Sequence, residues 1–148
     1  MCVIHRRLFE ILRRRNTFIP GTKASAKTTV RVLIADDRKC VGAALADLVR
    51  LCQHEVVGVV ASGLEAIKAY ATHHPDVVLM DYAMPKLNGT TACIHILAKD
   101  PAARIILVSG WASTVDLRGA GAIAILPKPV RLKDLEETLN AAAQSPPK

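Results

Sequence analysis

Apolar residues fall in five short runs, each ending in polar residues and most of them separated by segments of helical spacing. Val30 to Ala35, Glu55 to Ala61, Val77 to Met80, Arg104 to Val108 and Ile123 to Leu126 have strand length. Near-continuous apolar runs of this kind suit strands buried on both faces. After the first run, Val41, Ala44, Leu45, Leu48 and Leu51 follow at helical spacing. Gly63 to His74 predicts a second helix with Leu64, Ile67 and Ala71 facing inward. Thr90 to Lys99 predicts a third with Cys93, Ile96 and Leu97 inward, stopped by Asp100-Pro101. A last helix carries Leu132, Leu135 and Leu139 on one face, with Asp134 and Glu137 as a capping pair at its start. Ser109 to Gly121 has room for a turn or two, a shortened fourth helix. Strands alternating with helices predict a doubly wound α/β domain, a parallel five-stranded sheet covered on both faces by right-handed crossovers. That domain occupies residues 30–143, with a short C-terminal tail over 144–148.

Composition adds little to the fold and more to the setting. A chain of 148 residues suggests one domain, and 51% hydrophobic residues with 3% aromatics point to a core of Val, Ile, Leu and Ala. No apolar run approaches the roughly 18 residues of a membrane span. Cys2, Cys40, Cys52 and Cys93 are far apart and form neither a zinc pattern nor a disulfide framework, which fits a reducing cytoplasm. His73-His74 beside Pro75 reads as a polar helix terminus rather than a ligand pair.

Charge divides the chain. Residues 1–29 hold seven Lys or Arg against Glu10 alone, leaving a net +1 for the other 119 residues. Electrostatic arguments therefore concern the tail and not the domain. Ile4, Leu8, Ile11 and Leu12 would share one face of a basic amphipathic helix suited to anionic lipid or nucleic acid. Residues 22–29 read as a linker. Short isolated helices are marginal in water, so the favoured expectation is a flexible basic extension over 1–29.

Polar residues at the strand ends are where chemistry gathers. The first strand ends in Asp36-Asp37, the third in Asp81, the fourth in Ser109 and the fifth in Lys128. In a parallel sheet these termini share the edge at which ligands of open α/β sheets bind. Three carboxylates there would repel one another unless a cation neutralised them. An all-oxygen set of this kind suits Mg²⁺. Lys128 adds a compact positive charge and Ser109 a hydroxyl, so the group looks like a phosphoryl site with Asp81 as nucleophile.

With Asp81 to Gly89 reading D-x-x-M-P-x-x-N-G, the chain resembles a response regulator receiver domain of the CheY-like superfamily over residues 30–143. The acidic pair, the strand-four serine and Lys128-Pro129 stand in the matching order. The resemblance implies a flavodoxin-like sheet of order 2-1-3-4-5 and a phosphoprotein of two-component (phosphorelay) signal transduction. Asp81 would accept a phosphoryl group from a sensor histidine kinase or phosphotransfer protein. Asp37 would bind Mg²⁺ directly, Asp36 partly through water, and the Ala83 carbonyl would be a further ligand beside Asp81. Lys128 would pair with the phosphoryl oxygens, with Lys128-Pro129 in the cis form, and Ser109 would move to bond them.

The pattern also has departures. Ile125 stands where the family commonly carries Tyr or Phe three residues before the lysine. The short stretch after Ser109 predicts output by ordering of Ala112 to Gly119 and docking of a downstream protein. Ala83 and Trp111 offer no acid or amide to orient an attacking water, which predicts a long-lived phosphoryl group. Residues after 143 hold no helix-turn-helix, so a stand-alone receiver without an attached DNA-binding domain or transmembrane segment is expected. It would not be an enzyme beyond its own phosphotransfer and dephosphorylation. The alternatives are a degenerate receiver that binds without phosphorylation, and a Mg²⁺-dependent aspartyl-nucleophile hydrolase. The hydrolase class usually places a second Asp two residues after the nucleophile, where this chain has Ala83.

Overall fold

The structure, a computed structural model, describes residues 27–110 and 119–144. Five strands appear in it: β1 (Arg31–Ala35), β2 (Glu55–Val60), β3 (Val77–Asp81), β4 (Ile105–Ser109) and β5 (Ala124–Pro127). The described helices are α1 (Lys39–Leu51), α2 (Gly63–His73), α3 (Gly89–Lys99) and α4 (Leu132–Gln144). All strand pairs are parallel and the order is β2-β1-β3-β4-β5, the doubly wound arrangement predicted from the alternation. The shortened fourth helix, Trp111 and most of the segment expected to become ordered lie outside the described residues, as do residues 1–26.

Alternation along the strands builds two cores. Val32 and Ile34 point to the layer of α1 and α4, with Leu45, Val49, Leu135 and Leu139. Leu33 and Ala35 point to the layer of α2 and α3, with Ala66, Cys93 and Ile96. The central strands β3 and β4 are buried at every position. That is why their sequence is a solid apolar run rather than an alternating one.

Helix phase departs from the sequence expectation in two places. In α2, Leu64 and Ala71 are exposed, while Gly63 and Ala66 are buried and Tyr70 is half-buried. A Cβ at Gly63 would meet the Leu87 carbonyl at 2.6 Å, so this end approaches its neighbour too closely for a large residue. In α1, Ala44 is exposed and the buried stripe is Gly42, Leu45, Ala46 and Val49. At the start of α4, Asp134 bonds the Arg131 guanidinium at 2.8 Å, and Glu137 lies 3.8 Å from Lys133, so the two acids serve separate ion pairs.

His73 and His74 form a polar helix terminus. His74 caps α2 in the left-handed conformation, φ 46°, and both carbonyls accept from the Arg31 guanidinium at 2.9 Å. Among the described residues, no helix is long and apolar enough to cross a membrane.

Candidate functional site

Register brings the strand ends to one level. Ala35 stands beside Met80, Asp81 beside Val108, and Ser109 beside Pro127. Asp36 and Asp81 are thus neighbours at the carboxyl edge, with Lys128 one residue past β5. Beyond the strands the ladder continues one residue further: Asp36 N–H donates to the Val60 carbonyl, Tyr82 N–H to Val108 and Lys128 N–H to Ser109, at 2.9–3.0 Å. The polar side chains therefore leave backbone that is already pinned.

Lys128 Nζ lies 2.9 Å from Asp81 Oδ1 and 3.0 Å from Asp36 Oδ2. Asp36 and Asp81 are buried, and Asp37 is the most open of the three. One carboxylate oxygen from each lies within 4.8 Å of the others. Three acids, two of them buried, against one lysine leave the pocket with an excess of negative charge. Asp36 does most of the internal organising: its Oδ1 also accepts the Arg38 N–H at 2.9 Å, which fixes the turn from β1 into α1. A cavity of about 330 Å³ opens over the group, lined by Asp37, Arg38, Asp81, Ala83, Gly110 and Lys128.

The loop after β3 is held from below. Met84 is buried in the α2–α3 core, which turns Ala83 outward to the cavity. Leu87 N–H donates to the Pro85 carbonyl at 2.8 Å across Lys86 at φ 67°, a γ-turn that only a well-determined loop sustains. Asn88 then caps α3, its side chain accepting from Thr91 N–H at 2.8 Å. Gly89 has no room for a side chain, since a Cβ would meet the Asp81 carbonyl oxygen at 2.2 Å. The glycine lets the helix start directly behind the aspartate.

Ser109 is buried at the end of β4. Ile125 is half-buried against the α2–α3 core. Lys128-Pro129 is cis. A second groove of about 580 Å³ runs from Arg38, Gly110 and Lys128 along Val41, Ala44, Leu45 and Leu48 of α1. Arg38 and Gly110 were not singled out by sequence reasoning; the only signal was their position directly after Asp37 and Ser109.

The acid set fits a hard divalent cation: three carboxylate oxygens lie close together, with Ala83 beside them in the cavity lining.

Comparison with known proteins gives the family and the fold. A family model described as response regulator receiver domain matches residues 32–140. The chemotaxis protein CheY of Listeria monocytogenes is 34% identical over 118 residues, 78% of this chain and 99% of that protein. The transcriptional regulatory protein PdtaR of Mycobacterium tuberculosis is 37% identical over 127 residues, 83% of this chain, which spans 61% of that relative's length. Among solved structures, a LuxR-family two-component response regulator from Aurantimonas superposes with a TM-score of 0.73 at 30% identity, over 78% of this chain and 86% of that one. The CheX-CheY-BeF3-Mg²⁺ complex from Borrelia burgdorferi gives 0.74 at 26% identity, over 78% and 90%.

Proposed function

The chain belongs to the response regulator receiver family, and from that premise we propose that it accepts a phosphoryl group on Asp81 from a histidine kinase or phosphotransfer protein. The observation that carries this reading is Lys128 Nζ, within 3.0 Å of both Asp81 and Asp36 in a cavity shared with Asp37. In the transfer, a carboxylate oxygen of Asp81 attacks phosphorus. The bond from phosphorus to the donor's leaving atom breaks, and its electron pair departs with the leaving group. The product is an acyl phosphate. Lys128 offers a point charge to the phosphoryl oxygens, and Ser109, at the adjoining strand end, offers a hydroxyl.

Asp36, Asp37, Asp81 and the Ala83 carbonyl would hold Mg²⁺. When bound, the ion offsets charge on the phosphoryl oxygens and on the acids. Support comes from the carboxylate cluster and from the Borrelia relative, whose structure carries BeF3 and Mg²⁺. The position two residues after Asp81 is Ala83, which cannot act as the general acid of an aspartyl hydrolase. The protein therefore acts as a phosphorylated signal rather than as an enzyme on a separate substrate. Residues 30–143 form the receiver and 1–29 a basic extension. The output is docking of a downstream protein, in the cytoplasm.

The test is incubation with acetyl phosphate and Mg²⁺ followed by intact mass. Wild type gains one phosphoryl group that is lost on alkaline treatment, Asp81→Asn gains none, and chelation of the metal slows the gain at least tenfold. A folded wild type that takes up nothing would end the proposal.

A further inference from the structure

The cavity over Asp81 has two cationic walls among the described residues, Lys128 and Arg38. Lys128 is already engaged by Asp36 and Asp81. Arg38 is placed differently. Its backbone is fixed, with N–H on Asp36 Oδ1 at 2.9 Å and the residue at the N-cap of α1 without a side-chain capping bond. Its guanidinium makes only a long ion pair among the described residues, Nε to the same Asp36 oxygen at 3.8 Å, beyond hydrogen-bond length. The side chain is 59% exposed. A five-donor fork thus stands at the cavity mouth on a pinned backbone, with no acceptor within hydrogen-bond length among the described residues.

Charge shows what that fork can take. Phosphorylation replaces the Asp81 monoanion with a group carrying close to two negative charges, in a pocket where three acids already outnumber Lys128. The two outward phosphoryl oxygens form the planar, bidentate target that a guanidinium matches and a lysine does not. We propose that Arg38 is a phosphoryl-binding residue, which leaves Asp36 on phosphorylation and pairs with the outward phosphoryl oxygens. This rests on Asp81 as the acceptor. In hydrolysis a water oxygen attacks phosphorus, the bond to Asp81 breaks, its electron pair returns to the carboxylate and a proton passes to solvent. A guanidinium over the outer oxygens obstructs that approach and lengthens the life of the acyl phosphate.

The experiment titrates the full chain with Mg²⁺ alone and then with beryllofluoride at saturating Mg²⁺, bound fluoride being read by ¹⁹F NMR. Wild type, Arg38→Gln, Arg38→Lys and Asp81→Asn are compared, with thermal melts showing that each is folded. Arg38→Gln should bind beryllofluoride roughly fivefold more weakly and lose its phosphoryl group correspondingly faster. Arg38→Lys should fall between, keeping the charge and losing the fork. Affinity for Mg²⁺ should stay equal or rise in Arg38→Gln, because a positive neighbour has been removed. Loss of affinity for both ions would mean that Arg38 only shapes the turn, and the proposal would be wrong. Unchanged beryllofluoride affinity and phosphoryl lifetime in Arg38→Gln, with wild type binding well, would also overturn it. Failure of wild type itself to bind beryllofluoride would instead refute Asp81 as acceptor.

Discussion

At the residue scale, the proposed role of Asp37 as a Mg²⁺ ligand sets function against stability. It stands with two buried acids whose nearest cation, Lys128, is already shared between them. Without a metal, its charge has repulsive neighbours within a few ångströms and no ion pair among the described residues. Sites of this kind hold unfavourable charge that function requires. Asp37→Asn removes that charge with almost no change in shape. We expect the variant to melt a few degrees higher than wild type in chelator, an increment of about 1 kcal/mol for a domain of this size. Added Mg²⁺ should stabilise wild type and do less for the variant, so that the gap closes or reverses. A variant less stable than wild type in chelator would show that Asp37 carries a favourable contact instead.

The element scale shows what the sequence disclosed and what it withheld. Strand positions were legible because β3 and β4 are buried throughout, so apolar runs mark them directly. With a parallel sheet, the ends of those runs placed Asp36, Asp37, Asp81, Ser109 and Lys128 at one edge. The inward faces of helices were less legible. Periodicity sees large apolar residues, whereas α2 meets the core through Gly63 and Ala66 because the β3–α3 loop comes too close for anything larger. Leu64, the obvious candidate, is 56% exposed. Gly89 ends the recognised motif, but its need for a bare Cα comes from the Asp81 carbonyl, a contact that only tertiary structure creates.

A further contact invisible in the sequence ties the elements at the opposite edge. His54, in the α1–β2 connection, is buried and accepts the Val30 N–H on Nδ1 at 3.2 Å. Burial lowers its pKa below the ordinary histidine value; Lys27 adds to the effect, and Glu136 opposes it. Protonation of Nδ1 would also remove the acceptor for Val30. The unfolded chain therefore takes up this proton near pH 6.5 while the native state still resists. Stability from His54 is full above that pH and is lost as pH falls from about 6.5 toward the lowered native value. The melting temperature of wild type should fall more steeply between pH 7 and pH 5.5 than that of His54→Gln, whose amide oxygen can still accept from Val30. Parallel curves would assign the acid sensitivity to other groups, such as the Lys27–Glu136 pair beside it.

For the whole molecule, the separation of charge from core decides what the first residues contribute. Every buried hydrophobic residue of the described core lies between Val30 and Ala142, and the family match spans 32–140. Residues 1–26 hold Arg6, Arg7, Arg13, Arg14, Arg15 and Lys23 against Glu10, so most of the chain's positive excess precedes the domain. Lys27 is the first described residue and its amine meets Glu136 of α4 at 3.0 Å, an exposed pair of little energetic weight. Deleting residues 1–26 removes no buried core residue described here and none of the carboxylate cluster. We expect the truncated protein to melt within about 2 °C of the full chain, since changes that leave the described core and its ion pairs intact shift stability by tenths of a kcal/mol. Its rate of phosphoryl uptake from acetyl phosphate should also be unchanged. Retention on heparin, which reports positive charge, should drop sharply, because the remaining domain is close to neutral. A fall in melting temperature of many degrees would show that the extension packs on the domain. Unaltered heparin retention would place the anion-binding surface within the domain itself, against the charge division read from the sequence.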